Sequence, residues 1–264
     1  MSRSLLRRAL TLAALAALAA PALLRAQSGP RDQPFLFTTT PLSAQAGADL
    51  LTSLDAGYAE RSFSAVAPER LEMRFGLQTR LGGRLALLSR VGMVPGGVDA
   101  GAMVEGELML DLLSSRTGAL GLGFGGQREY GGTGVALARV AGALRGSRWQ
   151  LAGNVRVEHP FAAGRDAADL LTSVGYERRL TPALALGVEG VAEDLEGLVE
   201  TDEAEGGAKL MLGPTLALGS QGSRWLVLLG GGPILYVNRN PRASAAARAL
   251  GDSGFVLRAS IRHR

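Results

Sequence analysis

The 264-residue sequence contains no cysteine, which excludes disulfides, zinc–thiolate centres and cysteine nucleophiles at once. Only two histidines are present, His159 and His263, so material for a Ser–His catalytic constellation is thin. Aromatic residues make up 5% of the chain, and any membrane-interface girdle must therefore be sparse. Beyond residue 26 no apolar run is long enough to cross a bilayer as a helix. If the mature protein enters a membrane, it enters as strands.

What is present begins with an export pattern. Arg3, Arg7 and Arg8 precede the apolar run Ala9–Ala20, interrupted only by Thr11, and the small residues Ala22 and Ala26 follow. That order reads as a signal peptide over residues 1–26, cut after Ala26. An uncleaved membrane anchor is the alternative, since residues 9–24 nearly reach spanning length. Cleavage removes Arg3, Arg7, Arg8 and Arg25, so the 28 basic residues fall to 24, equal to the 24 acidic ones. The apparent basic character thus belongs to the export segment and gives no support to nucleic-acid binding. A cysteine-free exported protein needs another source of cohesion, and a closed hydrogen-bonded barrel supplies it.

The mature chain alternates. Leu71, Met73, Phe75, Leu77, Thr79 and Leu81 interleave with Arg70, Glu72, Arg74, Gly76, Gln78 and Arg80. Period two with charge on one face and bulk on the other defines a strand, because a helix would scatter both sets. The pattern recurs around Val104–Leu112, Trp149–Val157 and Leu184–Val188. It predicts twelve strands at 48–60, 69–81, 84–94, 102–113, 118–129, 134–144, 148–158, 168–179, 183–193, 206–218, 224–236 and 254–263. Short turns alternate with longer connections, as between the periplasmic and outer ends of a membrane barrel. The expected fold is all-β: a transmembrane antiparallel up-and-down β-barrel of about twelve strands over residues 48–264. Residues 27–47 form an N-terminal periplasmic extension or plug. A soluble sandwich or lipocalin-like barrel also alternates, but neither the strand number nor the one-sided loop lengths suit it.

Trp149, Tyr176 and Trp225 fall at the short-turn strand ends, and Tyr58, Tyr130, Tyr236 and Phe255 near the outer ends. Two sparse aromatic girdles are expected, with Tyr58, Trp149, Tyr176, Trp225 and Phe255 facing lipid. Tyr236 has the wrong parity for lipid unless a bulge intervenes near Gly230–Pro233.

The mature N-terminus reads Pro34-Phe35-Leu36-Phe37-Thr38, then Gly47, then Gly57-Tyr58, then the strand Leu71–Leu81. This order resembles the start of a broad group of bacterial outer-membrane barrels, uncharacterised outer-membrane transporters of the aromatic-compound-degradation type. The likeness covers the first third of the chain and implies a barrel without specifying a solute. Such barrels usually end on an aromatic assembly signal, whereas this chain ends Ile261-Arg262-His263-Arg264. Either the signal is shifted to Phe255, Leu257, Ala259 and Ile261, or the barrel-assembly machinery tolerates the departure.

The inward faces carry the candidate chemistry: Arg74, Arg80, Arg90, Arg139, Arg156, Lys209 and Arg258 against Asp55, Glu72, Glu105, Glu107, Asp111, Glu177 and Glu189. Arg74, Arg90, Glu105, Glu107, Arg139, Arg156, Glu189 and Arg258 are the constriction candidates, where opposed charges would set ion selectivity. The same groups could instead pair and fill the lumen as a salt-bridged core. Gly121–Gly126 formally matches a dinucleotide fingerprint, but no helix follows it, so a glycine-rich strand is the better reading. The acidic stretch 193–205 lacks cation-site spacing and reads as a solvated loop. Arg239, Arg242 and Arg248 in the next outer loop could meet lipopolysaccharide phosphates. Ser173 lies on the lumen side of its strand, a poor partner for His159, and no Gly-x-Ser-x-Gly occurs. The leading expectation is a passive outer-membrane channel for small solutes, without cofactor or metal. A non-conducting structural or surface-interaction barrel is the alternative, and a lipid hydrolase the third.

Overall fold

The computed structural model describes residues 34–41, 50–60, 63, 69–94, 102–129, 132–162, 168–195, 208–219, 223–237 and 254–264. Twelve strands form: β1 Leu50–Ala59, β2 Arg70–Gly82, β3 Leu85–Met93, β4 Ala102–Ser114, β5 Gly118–Arg128 and β6 Gly134–Arg145. They continue as β7 Trp149–Pro160, β8 Asp169–Thr181, β9 Leu184–Glu193, β10 Ala208–Leu218, β11 Trp225–Val237 and β12 Gly254–His263. Every neighbour in sequence is a neighbour in space and antiparallel, and β12 pairs with β1 to close the barrel. Closure removes both sheet edges, so every strand has a ladder on each side. The expected and observed strand ends agree within two residues.

The strands have 9 to 13 residues, the length a tilted strand needs to cross hydrocarbon. Each carries its bulky apolar residues outward. Phe75, Val104, Phe124, Val174, Leu212 and Leu257 are all at least half exposed on the outer wall, whereas Glu72, Glu107, Glu189 and Gln150 are buried inside it. A soluble barrel would place these two sets the other way round. An outward apolar belt around an inward polar wall is the arrangement of a membrane barrel, so the lipid supplies the apolar phase that a soluble core would otherwise provide.

The short-turn end is tightened by local devices. Gly83 adopts a φ of 53°, a left-handed geometry that favours glycine in the β2–β3 turn. Ser115 Oγ accepts hydrogen bonds from the amides of Thr117 and Gly118, closing the β4–β5 turn. Register shifts lie at Arg80/Gly82, Asp111/Leu113 and Arg179/Thr181, all beside short turns. Arg80, the last regularly paired residue before the first of these, sits at the exposed short-turn rim, where its guanidinium lies 3.4 Å from the Gly83 carbonyl oxygen. Arg80 therefore does not line the middle of the lumen. No register shift occurs near Gly230–Pro233, and Tyr236 stays on the inward face opposite Lys209.

Candidate functional site in the barrel lumen

The inward residues of β2 to β7 form a charged network whose centre is Glu105 on β4. Arg90 of the adjacent β3 donates to Glu105 Oε1 at 2.9 Å, and Arg156 of β7 donates to Oε2 at 3.1 Å. Arg156 also meets Glu158 at 2.5 Å and donates to Gln127 Oε1 at 2.9 Å. One carboxylate thus holds guanidinium groups from strands four positions apart. Such charge-assisted hydrogen bonds are shorter and stronger than neutral ones, and burial of Glu105 and Arg156 makes each depend on the other to offset its lost hydration.

A second pair lies nearer the short turns. The Nε of Arg139 on β6 donates to both oxygens of Glu107 on β4, at 2.9 and 3.1 Å. The pair skips β5, and the glycines of that strand make this possible. A Cβ on Gly123 would lie 1.9 Å from Glu107 Oε1, so the glutamate lies across a residue that has no side chain. A Cβ on Gly125 would meet the Gly106 backbone oxygen at 2.1 Å. Gly121–Gly126 is therefore a low stretch of wall over which a long side chain reaches, which accounts for its composition without any nucleotide. Glu72 and Arg74 on β2 pair with each other through two hydrogen bonds.

The remaining constriction candidates, Glu189 on β9 and Arg258 on β12, meet a different partner. Residues 34–41 lie inside the barrel. The amides of Leu36, Phe37 and Thr38 donate to the Glu189 carboxylate at 2.6, 2.8 and 2.9 Å. Arg258 donates to the Leu36 carbonyl oxygen at 3.3 Å, and its guanidinium sits 4.8 Å from the centre of the Phe37 ring. Arg262, which the sequence pattern did not single out, donates to the Phe35 carbonyl oxygen at 2.6 Å. Arg139 reaches Thr39 Oγ1 at 3.0 Å, and Asn154 on β7 donates to the Thr39 carbonyl at 3.2 Å. Phe35 is wholly buried against Ala119, Ala143 and Ala152, while Leu36 packs with Ala185, Ala217, Leu226 and Leu228.

Above this segment a cavity of about 570 Å³ remains, lined by both signs of charge. Arg74, Arg90 and Arg258 come from β2, β3 and β12; Glu158, Asp169 and Glu193 come from β7 to β9 on the facing wall. Lys209 at the outer end pairs with Asp194 at 3.3 Å. Asp111 and Glu177 are buried on the inward face nearer the short turns.

The aromatic residues named above are placed as follows. Trp149, Tyr176 and Trp225 point outward at the short-turn ends of their strands, and Trp225 stacks at a tilt on His263, 4.5 Å between ring centres. Tyr58 and Phe255 meet at 5.9 Å near the other end. His159 faces outward against Phe161, while Ser173 lines the cavity, so the wall itself separates them. No cluster of potential metal ligands occurs among the described residues. Tyr130, Arg239, Arg242, Arg248 and the stretch 196–205 lie outside the described residues.

A closed barrel of twelve antiparallel strands, with apolar groups outside and charge within, defines an outer-membrane β-barrel protein. No protein-family description matches the chain, and no curated protein matches its sequence. Among solved structures it is similar to "KdgM porin in complex with disordered oligogalacturonate", with a TM-score of 0.56 and 9% identity over 81% of this chain and 98% of that one. It is also similar to the NanC porin, with a TM-score of 0.57 and 7% identity over 81% and 99% of the two chains. At these identities the shared property is the porin fold.

Proposed function

We propose that the protein is a passive outer-membrane channel for small polar solutes. The observation that carries this reading is the cavity of about 570 Å³ inside a closed barrel, lined by intermixed basic and acidic side chains, among them Arg74, Arg90, Arg156 and Lys209 with Asp55, Glu105, Glu158 and Glu193. A space of that size suits one small solute rather than a folded macromolecule. Opposed charges across a narrow passage orient dipolar solutes and tune ion selectivity. The oligogalacturonate bound in the KdgM structure is an acidic chain. Here both signs line the cavity, which favours solutes that carry both signs or neither. The resemblance of residues 34–81 to transporters of the aromatic-compound-degradation type supports a transport role and leaves the solute class to the cavity chemistry. In the same reading β12, from Phe255 to Ile261, presents the shifted signal to the assembly machinery, and the outer-loop arginines meet lipopolysaccharide.

The second reading is a non-conducting barrel, and a specific observation favours it: ion pairs and residues 34–41 occupy much of the inner half of the lumen. Planar-bilayer recording decides between the two. The protein, shown to be folded by heat-modifiable gel migration, should give discrete conductance steps. Folded protein that gives none would overturn the channel reading in favour of the closed barrel.

A further inference from the structure

We propose that Glu189, Arg258 and Arg262 form a binding site for a peptide main chain bent at Leu36–Phe37, and that residues 34–41 occupy it in cis as a plug. The argument starts from backbone accounting. A segment inside the lumen with no ladder of its own must have its amides and carbonyls satisfied by side chains. Glu189 takes three consecutive N–H groups, Arg262 and Arg258 take the carbonyls of Phe35 and Leu36, and Asn154 takes that of Thr39. These contacts read main chain, and three successive N–H groups reach one carboxylate only because the chain bends at Leu36–Phe37, so what they recognise is a bent peptide with free, successive N–H groups.

The wall around Glu189 is shaped for such an occupant. Its register neighbours on β8 and β10 are Gly175 and Gly213. A Cβ on Gly175 would lie 2.4 Å from Phe35 Cδ1, so that glycine seats the ring. Small side chains continue the trough, with Ala119, Ala143 and Ala152 around Phe35. Side-chain preference enters at the aromatic seat of Phe35, the apolar seat of Leu36, the Arg258 contact to the Phe37 ring and the Arg139 contact to Thr39 Oγ1. The segment runs between β12 and β6–β7, opposite sectors of the twelve-strand ring, and so crosses the lumen rather than following its wall.

The site stands on this geometry alone, and only its effect on conductance rests on the channel reading above. A chain lacking residues 34–41, with folding checked by heat-modifiable migration, is titrated into a fluorescently labelled peptide of the sequence Pro34–Pro41. Anisotropy should show saturable binding, and the intact chain, whose site is filled, should show little. A peptide N-methylated at Leu36, Phe37 and Thr38 removes the three donors and should bind about tenfold weaker or worse, as should the Glu189→Ala form of the shortened chain. No binding to the folded shortened chain, or equal binding of the methylated peptide, overturns the proposal.

If the shortened chain does not fold, the full chain gives a second test. The protein has no native cysteine, so Thr38→Cys introduces its single thiol at a buried position. A water-soluble maleimide should label it slowly, and about tenfold faster once Glu189→Ala releases the segment. Equal rates would overturn the proposal. In bilayers the shortened chain should conduct severalfold more than the intact one, and added peptide should reverse the gain. If neither chain conducts, the channel reading fails, while the binding and labelling results still judge the site.

Discussion

Replacing Gly123 with alanine tests whether the glycines of β5 are there to let Glu107 pass over them. The three atoms nearest to the added Cβ all belong to Glu107: Oε1 at 1.9 Å, Cδ at 2.8 Å and Cγ at 3.2 Å. The carboxylate must therefore leave Arg139, whose Nε it accepts through both oxygens. Removing one partner of a buried pair outright costs about 3–5 kcal/mol. Here the charge is displaced rather than deleted, so the cost falls below that range, about 2–3 kcal/mol. The intrinsic effect of the substitution runs the other way, since alanine in a strand is favoured over glycine by roughly 0.5–1 kcal/mol.

The opposing signs make a double-mutant cycle decisive. In a Glu107→Ala background the methyl group has room, and Gly123→Ala should become neutral or stabilising by up to about 1 kcal/mol. The coupling between the two positions is then about 3 kcal/mol, well above the scatter of non-interacting pairs. Urea unfolding of the barrel in lipid vesicles measures it, with Trp149 and Trp225, the two tryptophans of the chain, as reporters. An equal loss in both backgrounds would refute the reasoning and assign Gly123 a purely backbone role.

Two further substitutions separate the faces of the wall. Val174→Arg places a charge at the middle of β8 on the outer face, where the valine is 52% exposed; it should cost about 2–4 kcal/mol in vesicles. An unchanged unfolding midpoint would mean that this face meets water rather than hydrocarbon. Glu105→Ala leaves Arg90 and Arg156 without their shared carboxylate and should move selectivity towards anions. Reversal potentials in a salt gradient read this directly, and a shift towards cations would contradict a solute path beside Glu105.

The barrel was legible because its signal is local and periodic. In Leu71–Leu81 the alternation of bulk and charge is already present within a single strand, and the outward placement of Phe75 with the inward placement of Arg74 follows from it. Which inward charges meet was not legible from adjacency. Arg90 and Glu105 sit directly opposite each other on neighbouring strands. Arg139 reaches Glu107 across one strand, and Arg156 reaches Glu105 across two. Those reaches depend on barrel curvature and on the glycines of β5, whose spacing in sequence looked only like a weak fingerprint. Arg262 escaped notice because the last strand ends in charges that read as a departure from an assembly signal. The one available pointer to its partner lay elsewhere, in an inward glutamate flanked by glycines on both neighbouring strands.

The charges suggested as a constriction and the contacts of residues 34–41 share side chains, and this links the two readings of the lumen. Glu189, Arg258 and Arg139 each satisfy a group of the segment. Arg139 and Arg258 still line the cavity while the segment is in place, but part of their hydrogen-bonding capacity is taken. With the segment bound, the Arg90–Glu105–Arg156 network also lines the cavity above it. With the segment withdrawn, a carboxylate and two guanidinium groups would be exposed nearer the short turns, where water must then replace the lost main-chain partners. Charges of this kind hold a peptide main chain but tolerate an aqueous lumen as well, because water can take the place of the main-chain groups. A charged trough can be filled by its own chain and still serve as the wall of a pore.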